Sequence, residues 1–167
     1  MNFESASISE SSWCVNTTWY DGSIAGGIME KGWEHFEHQA DIGVRGRGGT
    51  PAEAFEQAAL AMMAVIVDPG LVRPVCAVEI CCSASDVEML LADWLGAVLS
   101  EMSARRMLFS KFEVVVEGSG LKAKAWGEGV NPERHRPAVE VKGASYFGLK
   151  VEQQMDGRWV VECVVDV

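Results

Sequence analysis

Residues 33–46 read Trp-Glu-His-Phe-Glu-His-Gln-Ala-Asp-Ile-Gly-Val-Arg-Gly, a polar and aromatic beginning that passes into an apolar alternation and ends in glycine. A period of two is typical of a β-strand with one buried face. It predicts one strand whose buried face carries Phe36, His38, Ala40, Ile42 and Val44. The other face then carries His35, Glu37, Gln39, Asp41 and Arg45. Because a strand holds its side chains rigidly, Asp41 is the first candidate for a functional residue.

The composition predicts a single globular, soluble domain. The chain has 167 residues, 49% of them hydrophobic, and a formal net charge of -10. This length can bury a sizeable core. The negative charge argues against direct binding to nucleic acid, because such binding depends on clustered Lys and Arg. Any role in RNA biology is therefore expected to act through a protein partner.

The five cysteines are odd in number and contain no C-x-x-C spacing. That pattern supports neither a disulfide framework nor a zinc knuckle, and it fits a reducing cytoplasm.

Residues 1–28 contain no Lys or Arg and show no helix or strand period, so we expect a disordered N-terminal extension. No run is long enough to span a membrane. The domain is then residues 29–167, and translation from Met29 is a second interpretation.

Two helices are indicated by capping signals followed by apolar stripes. Thr50-Pro51-Ala52-Glu53 begins the first, which is expected to end at Asp68-Pro69-Gly70. A strand is predicted over 74–82, and Ser85-Asp86-Val87-Glu88 resembles a second capping box that begins the next helix. Both stripes are predicted to lie in the core.

The rest of the chain predicts two hairpins. Strands over 107–117 and 121–129 meet at Gly118-Ser119-Gly120, and strands over 144–155 and 158–166 meet at Asp156-Gly157. The fold class is therefore α+β, a two-layer sandwich of mostly antiparallel sheet with two amphipathic helices on one face. The loop from Asn131 to Pro137 is expected to be exposed.

A metal site is suggested by the end of the chain. Asp166 is followed directly by Val167, the last residue, so a side-chain carboxylate and a terminal carboxylate lie close together. Each raises the pKa of the other unless a cation or donors compensate. A hard divalent cation such as Ca²⁺ compensates well, and Asp41 could join the site if the first and last strands are neighbours. The other interpretation is a solvated C-terminus.

The histidines offer a weaker alternative. His35, His38 and Asp41 are spaced by three residues, and such offsets place strand side chains on opposite faces. A transition-metal triad therefore requires a bend. His38 is instead predicted to be a core histidine with one hydrogen-bond partner, and His135 to lie in a loop without a nearby ligand.

The stretch from Trp33 to Gly46 resembles the opening of the archease family. The resemblance runs to Val167 and continues through Thr50-Pro51-Ala52-Glu53-Ala54-Phe55, Asp86-Val87-Glu88-Met89-Leu90-Leu91, Trp94-Leu95, Lys122-Ala123-Lys124-Ala125-Trp126-Gly127-Glu128, Glu140-Val141-Lys142 and Val165-Asp166-Val167. Several motifs in the right order make it specific. The chain departs from the family's usual Thr-Tyr-His at Ser145-Tyr146-Phe147, and from its usual Asp at Asn131.

This resemblance implies an accessory protein of the RtcB-type RNA ligase, which joins RNA ends in tRNA splicing and RNA repair. Archeases are not ligases; they promote guanylylation of the ligase and so allow multiple turnover. The family's divalent-metal site, expected to hold calcium, carries over to Asp41, Asp166 and Val167. His38, Glu88 and Lys142 match further family positions and are given supporting roles.

The alternative function is a small metal-dependent hydrolase that uses Asp41 with His35 or His38. Such an enzyme needs a base and an open metal position beside a substrate pocket.

Overall fold

The computed structural model describes residues 30–167, so the expected extension over residues 1–28 lies outside the described residues. The described residues form three α-helices, eight strands and a short 3-10 helix at Pro69–Leu71. The strands and α-helices are β1 Gly32–His38, β2 Asp41–Gly48, α1 Pro51–Ile66, β3 Cys76–Ser83, α2 Val87–Arg105, β4 Met107–Glu117, β5 Gly120–Gly129, α3 Pro132–His135, β6 Gly143–Ala144, β7 Lys150–Gln153 and β8 Trp159–Asp166. Neither α1 nor α2, nor any other helix within residues 30–167, is long and apolar enough to cross a membrane.

The strands form two sheets in which every pairing is antiparallel. The larger sheet has the order β1-β2-β8, and both β6 and β7 pair with the remaining edge of β8. The smaller sheet has the order β3-β5-β4. Helices α1 and α2 each contact strands of both sheets. The predicted α+β fold with mostly antiparallel strands is confirmed, and the strands are divided between two sheets.

The stretch from Trp33 to Gly46 is a hairpin rather than one strand. Gln39 and Ala40 form the turn, with Gln39 at a φ of 53°, and His38 lies directly opposite Asp41. A two-residue turn puts residues three apart on the same face, because directly opposed residues share a side of the sheet. The predicted faces are therefore wrong for the first strand.

Both helices begin with a side-chain cap. Thr50 Oγ1 accepts a hydrogen bond from the Glu53 N–H at 3.2 Å, and Glu53 Oε2 accepts from the Gly49 N–H at 2.7 Å. The first capping prediction is thus confirmed, with the return bond one residue earlier than usual. The second differs: Asp86, not Ser85, caps α2 by accepting from the Met89 N–H at 2.8 Å.

The helix stripes form the core, as predicted. Trp94 and Phe55 are fully buried, and Trp94 Nε1 donates to the Phe55 carbonyl at 3.1 Å, which joins α2 to α1. The helix α1 also lies directly on β2. A Cβ added at Gly46 would stand 2.1 Å from the Ala54 carbonyl oxygen, so only glycine allows this close approach. The contact fixes the strand that begins at Asp41.

The final hairpin is shorter than predicted. β7 and β8 meet through the Asp156-Gly157 turn, but β6 covers only Gly143–Ala144 and pairs with β8 separately. Residues 145–149 leave the sheet between these two short strands. In this segment the Ser145 N–H still donates to the Val164 carbonyl of β8 at 2.8 Å, whereas the Phe147 N–H donates locally to Ser145 Oγ at 3.1 Å.

The histidine prediction is wrong in both parts. His38 is exposed, whereas His135, expected in an exposed loop, is buried. The His135 Nδ1 accepts from the Asn131 N–H at 2.9 Å, so its Nε2 carries the proton and donates to Glu128 at 3.1 Å. Glu128 also accepts from Arg134 Nη1 at 2.7 Å. The contacts of Arg134 and His135 with Glu128 therefore attach the segment from Asn131 to Pro137 to β5.

Candidate metal and docking site

The pairing of β2 with β8 brings the two candidate aspartates to one edge. Ile42 lies opposite Val165; Asp41 directly precedes Ile42 and Asp166 directly follows Val165, so in this antiparallel pair both aspartates lie at the same end. Antiparallel neighbours at equivalent positions project from the same face of the sheet. We call the group of Asp41, Asp166 and Val167 the carboxylate edge.

The strand β6 lies on the other side of Asp166. Gly143 is opposite Asp166, and the Lys142 N–H donates to the Asp166 carbonyl at 2.8 Å. The Lys142 Nζ donates to the main-chain oxygen of Val167 at 3.3 Å. A lysine ammonium thus offsets part of the negative charge at this end of β8, so a metal ion is not the sole source of compensation. Lys142 therefore contacts Val167 of the predicted site, and its supporting role stays a prediction.

The two nearby histidines lie on opposite faces of β1. His38 on β1 lies opposite Asp41 on β2, and Asp166 on β8 lies opposite Gly143 on β6. These four residues form one row across four strands. The His35 Nε2 lies 2.7 Å from the Ala61 carbonyl, on the side of the sheet that α1 covers. His35 and Asp41 therefore cannot act on the same small ligand, whereas His38 and Asp41 are neighbours.

Glu88 is half-buried in the first turn of α2. Among the described residues, no hydrogen bond or ion pair joins it to the carboxylate edge. Its place at the N-terminal end of the helix is itself stabilising for a negative side chain. The structure thus brings Asp41, Asp166, Val167, Lys142 and His38 to one edge and leaves Glu88 on a separate element.

The donors at this edge suit a hard cation. Within residues 30–167, no three His, Cys, Asp or Glu side chains are grouped so as to hold a metal ion. A cation at the carboxylate edge would therefore need oxygen donors from Val167 in addition to the side chains of Asp41 and Asp166. Carboxylate oxygens are the ligands that Ca²⁺ prefers, and no soft donor is present among these three residues. The residues therefore fit calcium.

An ionic row on the same sheet face links the neighbouring strands β1, β2 and β8. Arg45 contacts Glu34 on β1, and its Nε donates to Glu162 on β8 at 2.7 Å. The Arg45 guanidinium also lies 4.8 Å from the centre of the Phe36 ring. Burial lowers the pKa of Arg45, but the two carboxylates outweigh it and raise that pKa. Sequence reasoning missed this row because its members come from three strands.

Cavities are found away from the carboxylate edge. Two cavities, of about 340 and 390 Å³, are lined by the smaller sheet and share Cys81, Val115 and Lys122. None of the residues of the carboxylate edge lines them. The nearby Cys82 has its pKa raised to about 11, by burial first and by Asp93 second, so its thiol is protonated at neutral pH. These cavities therefore offer no activated thiol nucleophile at Cys82.

Comparison with known proteins gives one consistent result. The Archease protein family matches residues 33–167. Protein archease of Pyrococcus abyssi is 42% identical over 141 residues, covering 82% of this chain and 99% of the relative. Protein archease of Thermococcus kodakarensis is 42% identical over 139 residues, covering 81% and 98%.

Two solved structures share the fold. The solution structure of Methanobacterium thermoautotrophicum protein 1598 is 32% identical with a TM-score of 0.72, covering 81% of this chain and 99% of that one. A crystal structure from Thermotoga maritima, described as an archease and possible chaperone, is 20% identical with a TM-score of 0.52, covering 79% and 94%. The sequence matches and the shared fold agree: this chain belongs to the archease family.

Proposed function

We propose that this chain is an accessory protein that acts on a protein partner, an RtcB-type RNA ligase, and is not itself an enzyme. Its role is to promote guanylylation of the ligase and so to allow multiple turnover in tRNA splicing or RNA repair. Membership of the archease family supports this proposal, as does the description of the Thermotoga maritima structure as a possible chaperone. The reaction compartment would be the cytoplasm.

The observation that carries the proposal is the sheet register at the carboxylate edge. Asp41 on β2 and Asp166 on β8 are far apart in the sequence but lie at the same end of two paired strands. The Lys142 Nζ donates a hydrogen bond to Val167, the residue after Asp166. The proposed cation, calcium, would be held by Asp41, Asp166 and the terminal carboxylate of Val167. When bound, it would supply a positive centre at an edge that is otherwise mostly negative. Lys142 would keep the last residue in place, and His38 would border the site.

One pairing supports the alternative function, a metal-dependent hydrolase. His38 lies across from Asp41, but it is exposed and no described cavity includes it. The other possible base, His35, bonds to α1 on the opposite face. A hydrolytic site needs a base beside an enclosed substrate position. The accessory function is therefore the better supported of the two.

A direct role in RNA binding is not proposed. The net charge of -10 repels phosphates, and the candidate residues at the carboxylate edge are mostly acidic. The ligase would contact the RNA, and this protein would contact the ligase.

The test is a guanylylation assay with purified ligase, GTP and a divalent metal. The native protein is expected to increase the fraction of guanylylated ligase and the number of turnovers, and Asp41→Asn and Asp166→Asn are expected to abolish both effects. Glu37→Gln is the matched control, since this exposed glutamate is opposite Ile42, on the other face from Asp41. It removes the same charge without touching the edge. Full stimulation by both Asp→Asn variants would show that the carboxylate edge has no part in the function.

A further inference from the structure

The strand β3 is an edge of the smaller sheet, and alternate backbone groups of this strand point away from that sheet. β3 pairs with β5 in an unbroken register, and just beyond it the Ala84 N–H donates to the Ser119 carbonyl at 3.0 Å. Hydrogen-bonded and non-hydrogen-bonded pairs alternate along an antiparallel ladder. The even-numbered residues of β3 therefore bond to β5, whereas the backbone N–H and C=O groups of the odd-numbered residues face outward: Ala77, Glu79, Cys81 and Ser83.

These outward groups are open to another chain. The residues that carry them are all exposed. Within residues 30–167, none of their backbone N–H or C=O groups has a hydrogen-bond partner. A row of unpaired backbone groups is a template for one more strand, which satisfies all of the groups at once. The occupant that fits this edge is therefore a β-strand.

The other sheet edges carry features that oppose strand pairing. β4 has a register shift between Phe109 and Lys111, and the Val114 N–H donates to Glu56 Oε1 at 3.0 Å. The strands β6 and β7 are short, and β1 is rich in ionisable side chains. Short strands, bulges and charges all disfavour edge-to-edge pairing. In β3 the register is unbroken and Glu79 is the one carboxylate, so among the described strands β3 is the edge left open.

β3 is complementary to a second copy of itself. A two-fold axis at Cys81 would place the two Cys81 residues opposite each other and Glu79 of each copy opposite Ser83 of the other, so that outward groups meet outward groups. The two Glu79 side chains then lie far apart. An axis at Glu79 would place these carboxylates directly opposite, and an axis at Ile80 would make them diagonal neighbours, where like charges repel. The register about Cys81 is therefore the favourable one.

The charges on the outer face of the smaller sheet permit this contact. On β5, Lys122 lies opposite Cys81 and Lys124 lies opposite Glu79. The remaining carboxylates of this face are on β4, the strand farthest from β3: Glu113 and Glu117. A second copy therefore meets more ammonium groups than carboxylates close to the axis, although the net charge of the chain is -10. Added salt screens the remaining repulsion between the two chains and is expected to strengthen the pairing.

We infer that β3 is a homodimer interface, in which two copies of this chain pair their β3 strands antiparallel about Cys81 and join their smaller sheets into one continuous sheet. The inference goes beyond the proposed function and does not depend on it, because no residue of the carboxylate edge lies on β3. An edge pairing of this length buries a small area, so the dimer is expected to be weak and reversible.

The test is sedimentation velocity on the full chain over a range of concentrations. The native protein is expected to pass from one chain to two per particle as the concentration rises, and to do so at lower concentration in about 0.5 M salt than in about 0.05 M salt. Cys81→Pro removes an outward N–H without breaking the β5 ladder, and Cys81→Lys places two ammonium groups opposite each other. Each is expected to raise the dimer Kd at least about tenfold, since hydrogen bonds are lost or like charges meet.

The matched control is Val115→Lys. It makes the same change of side-chain charge at an exposed residue of the same sheet face, but on β4. The dimer Kd of this variant should stay within about twofold of the native value, as for residues outside an interface. A short bismaleimide gives a second readout, because hydrogen-bonded residues opposite each other have Cα atoms about 5.5 Å apart. Cross-linked dimer should form in the native protein and in Cys76→Ser and should be lost in Cys81→Ser.

Several outcomes would overturn the interface. A native chain that stays monomeric at every concentration contradicts it, and so does a dimer that Cys81→Lys leaves intact. Equal weakening by Val115→Lys would move the contact from the strand edge to the sheet face. If the native chain is monomeric alone and Cys81→Lys weakens its binding to the ligase, the edge accepts a strand of the ligase rather than a second copy. Melting temperatures verify folding, and if Cys81→Pro does not fold, Cys81→Lys decides the outcome.

Discussion

Lys142 holds Val167 through its side chain: Nζ donates to the Val167 main-chain oxygen at 3.3 Å. The backbone of Lys142 holds the preceding residue, since its N–H donates to the Asp166 carbonyl at 2.8 Å. Main chain and side chain of Lys142 together hold the end of β8 on its β6 side, and the pairing with β2 places Asp41 on the other side. The position of the last residue is therefore set by the structure, and its chemistry can be changed without touching the core.

Extending the chain beyond Val167 is expected to weaken calcium binding. A short Gly-Ser tag replaces the terminal carboxylate with a neutral amide and removes one charged oxygen donor. The affinity for Ca²⁺, measured by calorimetry, should fall about tenfold or more, since affinity at such sites depends on the number of charged ligands. The same tag placed before residue 30 serves as the control and should leave the affinity unchanged. Equal affinities for both tagged proteins would exclude the terminal carboxylate as a ligand.

Replacing Lys142 by methionine is expected to make the protein depend more on calcium. Without the ammonium group, the negative charges of the carboxylate edge repel each other with less compensation. Because the pair is exposed, the melting temperature without metal should fall only about 1–4 °C. Added Ca²⁺ should then raise the melting temperature of Lys142→Met more than that of the native protein. A smaller calcium-induced rise in the variant would show that Lys142 acts by ordering the site rather than by neutralising it.

Gly46→Ala is expected to destabilise the whole domain. The added Cβ would lie 2.1 Å from the Ala54 carbonyl oxygen, and this backbone atom can move only if α1 shifts away from β2. We expect a loss of about 1–3 kcal/mol in the free energy of unfolding, measured by urea denaturation. Gly129→Ala is the control, because nothing lies within 4 Å of a Cβ at Gly129. Similar free energies for the two variants would contradict the close helix–strand contact.

Glu128→Gln is expected to reduce stability at neutral pH and to have less effect in acid. Hydrogen bonds from Arg134 and from the Arg73 N–H hold the pKa of Glu128 well below its usual range, with a further contribution from His135. A lowered pKa in the folded state stabilises the protein above the unfolded-state value, about 4.3 for Glu, and this stabilisation fades as the pH falls below it. The difference in melting temperature between native protein and variant should therefore be largest above about pH 5 and should shrink toward pH 3.

The control for this pH dependence is Glu117→Gln, an exposed glutamate at the end of β4. Its melting temperature should follow that of the native protein at every pH. A constant difference between the native protein and Glu128→Gln from pH 7 to pH 3 would show that the ionised carboxylate of Glu128 is not the source of the stability.

The secondary structure was largely predictable because its signals are local. The Thr50 cap, the apolar stripes of α1 and α2, and the Asp156-Gly157 turn all act within a few residues. The predictions of secondary structure failed where one local pattern is compatible with two different structures. Alternation through residues 33–46 fits one strand or a two-residue hairpin equally well, and Gln39-Ala40 is not a strong turn signal. The faces of Phe36 and His38 were wrong for that reason.

The histidines show the same limit more clearly. His135 lies in a polar, proline-containing segment whose sequence predicts exposure, yet contacts with Glu128 and Asn131 bury it. Glu128 is on β5 and was not recognised as its partner. The row formed by Arg45, Glu34 and Glu162 was also not predictable, because each member belongs to a different strand.

The sequence by itself determined the helices, the two later hairpins, the α+β class and the family, since each depends on periodicity, capping or an ordered set of motifs. It also offered Asp166 and Val167 as an adjacent pair of candidates, with Asp41 as a third on the condition that the first and last strands are neighbours. Their meeting depends on the pairing of β2 with β8, and the Lys142 contact depends on β6. Strand pairing between distant segments is decided by how the helices and both sheets bury their apolar faces together. That choice is a property of the folded chain, and only the tertiary structure supplies it.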